Sequence, residues 1–213
     1  MIVEHFPVGM LGCNCVILGD PEAGEAIVVD PGGEHERILA RLAELSLRCT
    51  AIVHTHTHFD HVGATREVQE ATSAPAMIHQ GDLFLYADGG LQMQLDTFGI
   101  PLTAPEPVEI ERFLVDGDAV RAGSVEAGVL HTPGHTPGSL CFSVAGDRPV
   151  LIAGDTLFQG GIGRTDLWGG SAPELLDSIH KKLLGLPEET LVIAGHGPST
   201  TIGRERRFNP FLA

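Results

Sequence analysis

The stretch Ala51-Ile52-Val53-His54-Thr55-His56-Thr57-His58-Phe59-Asp60-His61 decides how the rest of this 213-residue chain is read. A short apolar run, rich in β-branched side chains, ends abruptly in His56, His58, Asp60 and His61. Imidazoles and carboxylates packed that densely are costly to bury unless they bind something. Each of the four is a common ligand of a divalent metal.

The same event recurs three times downstream. Val129-Leu130 leads through His131-Thr132-Pro133-Gly134 to His135, Leu151-Ile152-Ala153-Gly154 to Asp155, and Val192-Ile193-Ala194-Gly195 to His196. In the last two runs a glycine lets the backbone turn tightly where the strand leaves the sheet. Binding sites in open α/β sheets gather at strand ends. His56, His58, Asp60, His61, His135, Asp155 and His196 thus make five imidazoles and two carboxylates. This set is too large for one tetrahedral zinc and sufficient for two metals sharing a bridging carboxylate. Taken singly, His196 reads as a structural histidine and Asp155 as a turn cap; the dense segment at 56–61 gives them their meaning. His54 lies two residues before His56 and stays outside the set, and His131 reads as hydrogen-bonding support for the turn that carries His135.

Around these segments the chain alternates β-like and helical patterns. Residues 1–8, 13–19, 26–29, 51–53, 76–79, 113–115, 124–130, 139–144, 150–153 and 191–194 read as strands. Residues 34–47 carry Ile38, Leu39, Leu42 and Leu45 at helical spacing, and 62–72 and 173–184 also read as helices. Residues 81–99 take no firm assignment; they and 160–170 are glycine-rich enough to form mobile walls of a pocket. With no linker, low-complexity tract or fixed-period repeat, one layered α/β domain over 1–213 is expected.

Composition narrows the function. Hydrophobic residues at 43% and charged residues at 19% describe a globular chain. A net charge of −15 repels phosphate backbones, which argues against a nucleic-acid partner. Arg204, Arg206 and Arg207 read as a solvated helix end. No apolar run approaches the length needed to span a bilayer, and no basic segment followed by an apolar one opens the chain, so a cytoplasmic protein without membrane association is expected. Cys13, Cys15, Cys49 and Cys141 do not complete a zinc pattern and read as reduced, buried thiols.

The run Thr55-His56-Thr57-His58-Phe59-Asp60-His61, followed in order by His135, Asp155 and His196, resembles the metallo-β-lactamase superfamily. Within it, Gly154-Asp155-Thr156-Leu157-Phe158, Gly163-Arg164-Thr165-Asp166, Gly195-His196-Gly197-Pro198-Ser199-Thr200 and Asn209-Pro210-Phe211-Leu212 are similar to the short glyoxalase II-like group. The resemblance spans nearly the whole chain. It implies a four-layer αββα sandwich with the site at one edge where two sheets meet. It also implies that His56, His58 and His135 hold one divalent metal, that Asp60, His61 and His196 hold a second, and that Asp155 bridges them. Zinc is the expected metal, with iron or manganese as alternatives.

The implied reaction is hydrolysis of an acyl-thiol such as S-D-lactoylglutathione by a metal-bridging hydroxide that Asp60 orients. Glyoxalase II proper adds a helical C-terminal domain, whereas this chain ends at Ala213, soon after His196. The family's glutathione-binding lysine and tyrosine fall near Arg164 and Asp166, which leaves Arg164 as the candidate substrate contact. Asp155 also stands where antibiotic-destroying members often place a cysteine, which argues against penicillin hydrolysis. Rival readings are a persulfide dioxygenase with one iron on His56, His135 and Asp155, a lactone or ester hydrolase on the same dinuclear site, and a binding domain without turnover.

Overall fold

A computed structural model of the chain describes residues 1–87 and 89–212. The first half builds a six-stranded sheet in the order β1 (Ile2–Val8), β2 (Cys13–Asp20), β3 (Glu25–Val29), β4 (Arg48–Val53), β5 (Ala76–Ile78) and β6 (Arg112–Phe113). It opens as an antiparallel meander and turns parallel from β3 onward. The second half supplies β7 (Ala119–Ala122), β8 (Val125–His131), β9 (Leu140–Val144), β10 (Val150–Gly154), the small hairpin β11 (Leu157–Phe158) with β12 (Gly161–Ile162), then β13 (Leu191–Ala194) and β14 (Thr200–Thr201). The larger strands of this half form a second sheet, ordered β14-β13-β10-β9-β8-β7.

Period-two alternation explains how the sheets face each other. Val16, Leu18, Ile27, Val29 and Val53 of the first sheet meet Val120, Ala127, Leu140, Phe142, Val150 and Ile152 of the second in one buried layer. The alternate residues point outward and are covered by helices. Cys15, Ile17, Val28 and Ile52 pack under α1 (His35–Glu44) through Ile38 and Leu42. On the far side Cys141, Leu151, Ala153 and Val192 pack under later helices through Leu175, Ile179 and Ile202. The layers therefore run αββα, as the resemblance implies.

Several local boundaries differ from the sequence reading. The helix expected over 62–72 breaks into α2 (Phe59–Val62) and α3 (Thr65–Thr72). At the break the Ala64 amide leaves the helical ladder and donates to the Pro31 carbonyl at 2.8 Å. A Cβ on Gly63 would lie 2.5 Å from the Gly32 carbonyl oxygen, so the two turns lock together only through glycine. α1 stops at Glu44, with Ser46 at φ +57 closing it. The unassigned 81–99 segment contains α4 (Leu83–Tyr86) and α5 (Gly90–Thr97), capping Phe59, Val62 and Ile78 with Tyr86, Leu91 and Leu95; Asp88 within it lies outside the described residues. The strand over 119–122 is too short and mixed for its pattern to be read without its partner, β8. After α6 (Ala172–Ser178) the chain widens into a π turn over Ile179–Leu183, and α7 (Ile202–Phe208) closes the described chain. Among the described residues, no helix is long and apolar enough to cross a membrane.

The topology places the chemistry. β10 and β13 are parallel, and β8 is antiparallel to β9, which is antiparallel to β10. β8, β10 and β13 therefore all end at the same edge of the second sheet. β3 and β4 end at the facing edge of the first, where the Leu140 amide donates to the Thr55 carbonyl at 2.6 Å and joins the sheets.

Candidate metal centre

All seven predicted ligands come together at this edge. His56 Nε2 lies 3.0 Å from His58 Nδ1 and 3.3 Å from His135 Nε2, while His58 Nδ1 and His135 Nε2 are 3.0 Å apart. In the second cluster His196 Nε2 lies 3.2 Å from His61 Nε2 and 3.1 Å from Asp60 Oδ2, with His61 Nε2 3.7 Å from the same oxygen. Asp155 stands between the clusters. Its Oδ2 lies 3.7 Å from His135 Nε2, and its Oδ1 lies 3.6 Å from His61 Nε2 and 3.8 Å from His196 Nε2.

The donor set fits metal ions better than it fits itself. The Nδ1–H groups of His56 and His135 donate to Thr55 Oγ1 at 3.1 Å and to the Arg164 carbonyl at 2.8 Å, which leaves two Nε2 lone pairs facing each other. A single proton on His58 Nδ1 satisfies only one of them. Asp155 Oδ1 is buried without a hydrogen-bond partner. Donors held about 2.1 Å from a tetrahedral ion are about 3.4 Å apart, close to the spacings in both clusters.

Burial holds His56 and His58 well below the ordinary imidazole range, and the neighbouring imidazoles add to the effect. Burial also lowers His135. These three are neutral imidazoles at pH 7. Burial opposes charge on His61 as well, yet the surroundings formed by Cys13, Asp60 and Asp30 outweigh it and raise its proton affinity. His196 is likewise raised against burial by Asp60 and Asp155. Burial would raise Asp60, but His61, His196 and His58 hold its carboxyl well below the usual range.

Glycines at the strand ends permit this convergence. Gly154 sits at φ +47, the tight exit expected. Gly195 is needed for a different reason, since a Cβ there would lie 2.1 Å from Asp155 Oδ1 and 2.8 Å from His61 Cε1. Gly163, expected in a mobile wall, packs tightly: its Cβ would meet the Asp155 carbonyl oxygen at 1.9 Å.

His54 stays out of the cluster and pairs with Thr65 Oγ1 at 3.2 Å. His131 donates to the Pro137 carbonyl at 2.9 Å and stacks on His79. Arg164 contributes its carbonyl to His135, while its exposed guanidinium is held in a two-point pair with Asp166 at 2.8 and 2.9 Å. All four cysteines are free and buried.

Sequence reading missed several supporting groups. Asp30, buried and at φ +51, accepts from His61 Nδ1 at 3.0 Å and from the Thr55 amide and hydroxyl at 2.7 and 2.6 Å. It follows Ile27-Val28-Val29, the same apolar-run-to-ligand signature, but reads as part of a turn. Cys13 Sγ lies 3.4 Å from His61 Nδ1, and burial pushes its thiol up to about 12. Gln94 of α5 donates to the Thr57 carbonyl and accepts from the Phe59 amide, both from within the ligand loop. Trp168 stands edge-on to His58 at 5.8 Å between ring centroids and packs against Phe98. Among the described residues a second large concavity, between Val3 and the β8–β10 surface, carries no such donor cluster.

The pattern of the metallo-beta-lactamase superfamily matches residues 8–196. The chain is 40% identical to the hydroxyacylglutathione hydrolase GloC of Haemophilus influenzae, over 100% of this chain and 98% of the relative. Two solved structures superpose closely at 40% identity. A protein described as the BLEG-1 B3 metallo-beta-lactamase gives a TM-score of 0.90 with 99% of both chains covered. TTHA1623 in a di-iron-bound form gives 0.82, with 97% and 98% covered.

Proposed function

This chain belongs to the metallo-β-lactamase superfamily, and from that premise we propose that it is a dinuclear metallo-hydrolase cleaving a hydroxyacyl thioester of the S-D-lactoylglutathione class. The observation that carries the reading is the pair of donor triads sharing Asp155, one carboxylate oxygen toward each. His56, His58 and His135 would hold one ion and Asp60, His61 and His196 the other. When bound, divalent ions of this kind bring the pKa of water toward ~7 and polarise an acyl oxygen.

The chain's own groups then do the following. Thr55 and the Arg164 carbonyl fix the tautomers of His56 and His135, and Asp30 fixes His61 through its Nδ1 proton. Asp60, held ionised, accepts a hydrogen bond from the attacking water and orients it. The leaving thiolate needs no proton, so the absence of a general acid from the seven-residue set suits a thioester. Trp168, packed on Phe98, places an apolar ring edge-on beside His58 of the first triad. Identity to GloC along the whole chain supports the thioester class.

The likeness to BLEG-1 makes a β-lactam amide the second substrate class, despite Asp155 standing where a cysteine is common. Metal content by plasma mass spectrometry, paired with S-D-lactoylglutathione hydrolysis on the same sample, tests the proposal. Two ions per chain and turnover that disappears on chelation and returns with metal are expected. A single iron with oxygen uptake on a persulfide and no hydrolysis would overturn it, as would β-lactam turnover exceeding thioester turnover.

A further inference from the structure

Behind the first triad lies a carboxylate that the ligand set does not use. Asp82 is fully buried, and among the described residues its carboxylate pairs with no arginine, lysine or histidine. Its oxygens are instead taken by three donors from two different loops. Oδ2 accepts from the Thr57 amide at 3.1 Å and from Thr136 Oγ1 at 2.9 Å, and Oδ1 accepts from the Gly138 amide at 2.6 Å. The Thr57 hydroxyl returns a bond to the Asp82 carbonyl at 3.0 Å.

Thr57 is the residue between His56 and His58, and Thr136 immediately follows His135. One carboxylate therefore holds both loops that carry the all-histidine triad. Gly138 approaches so closely that a Cβ on it would lie 2.6 Å from the Asp82 carboxyl carbon, so the contact is built into the backbone. A buried carboxylate with only neutral donors is an expensive way to brace two loops, since hydroxyl or amide side chains brace loops without placing charge in the interior. Its negative charge gains a partner when a dication sits among three neutral imidazoles. The second triad already has Asp60 within it and Asp30 against His61.

We infer that Asp82 is a positioning residue that fixes the spacing of the His56–His58 loop against the His135 loop and sets the affinity of the first metal ion. The inference rests on the two-ion reading above. Trp168, the chain's only tryptophan, stands beside His58 and reports on this triad by its fluorescence.

Metal-free wild type and Asp82→Asn are titrated with cobalt(II), following Trp168 quenching, the visible cobalt bands and total bound metal. Asparagine keeps the size of the side chain but loses one acceptor and the charge. Expected is a first-triad affinity about 10- to 100-fold weaker, a second-triad affinity within about threefold, and a metal-free melting temperature too little changed to account for the loss. Unchanged quenching affinity, or equal weakening at both triads with a lowered melting temperature, would overturn the inference. Should Asp82→Asn not fold, Thr136→Val removes one donor alone, and an unchanged first-triad affinity there overturns it too. A wild type that binds one ion with full Trp168 quenching breaks the two-ion reading while leaving the Asp82 comparison readable. A wild type that binds none overturns both.

Discussion

The two donor triads share a carboxylate, yet they are built on different electrostatic plans. His56, His58 and His135 are all imidazoles, all buried, and all held below the ordinary proton affinity by that burial. Asp60, His61 and His196 mix signs, and the two histidines are raised by their surroundings, Cys13, Asp60 and Asp30 around His61 and Asp60 and Asp155 around His196. The supports differ in the same sense. Asp30 accepts directly from a ligand imidazole, whereas Asp82 reaches its triad only through amides and a hydroxyl of adjacent residues. The first triad is thus prepared as a neutral cage and the second as a charged one. A cage without charge depends on geometry held from outside, while a charged one attracts its ion even when loosened.

Asp155→Ala tests whether the triads are one centre. With one oxygen directed to each side, its loss should reduce occupancy at both and cut thioester turnover by about 10²- to 10³-fold or more. Metal stoichiometry and steady-state hydrolysis measure this; loss confined to one triad would separate the two. Asp30→Asn is the next largest effect. It weakens the acceptor for His61 Nδ1 directly and for His56 only through Thr55, so the second ion should bind about 10- to 100-fold more weakly, with a smaller loss at the first. Equal losses measured by competitive chelation would erase the distinction between the two plans.

How far this centre is legible in the sequence depends on what placed each residue. The seven candidate ligands stand where apolar strands end, a local pattern that survives without knowledge of the fold. Asp30 carries the same pattern after Ile27-Val28-Val29 but is masked by the Pro31-Gly32-Gly33 turn that follows. Asp82 and Gln94 carry no local signal, because their partners arrive from Thr136 and Gly138 on one side and from Thr57 and Phe59 on the other. The layer order came from the resemblance alone. The break at Gly63 was hidden because a close approach from Gly32, distant in sequence, imposes it.

The neutral plan also leaves a pH signature. Burial pushes the Asp82 carboxyl up to about 6, with Thr136, Gly138 and Thr57 limiting the rise. A group whose folded pKa exceeds its unfolded value stabilises the fold when protonated, so this contribution is present at low pH and lost as pH rises through 6. Between pH 5 and 7.5 the metal-free wild type should lose about 1 kcal/mol relative to Asp82→Asn, in denaturant unfolding at each pH. A flat difference would mean that Asp82 is already ionised throughout this range and that its three donors outweigh burial.

Arg164→Ala should give the smallest effect and is the sharpest test of the one residue expected to touch substrate. The substitution keeps the carbonyl that orients His135, so metal content should not change. The side chain is about half exposed and paired with Asp166, an ion pair contributing roughly 0–1 kcal/mol to stability. Because Asp166 occupies the Nε–Nη2 edge of the guanidinium, a substrate carboxylate must displace it there or approach Nη1 against its negative charge. KM for S-D-lactoylglutathione should therefore rise by no more than about threefold, about 0.7 kcal/mol, with kcat unchanged. A tenfold rise would show that substrate wins the guanidinium from Asp166, and Asp166→Asn should then lower KM for the same reason.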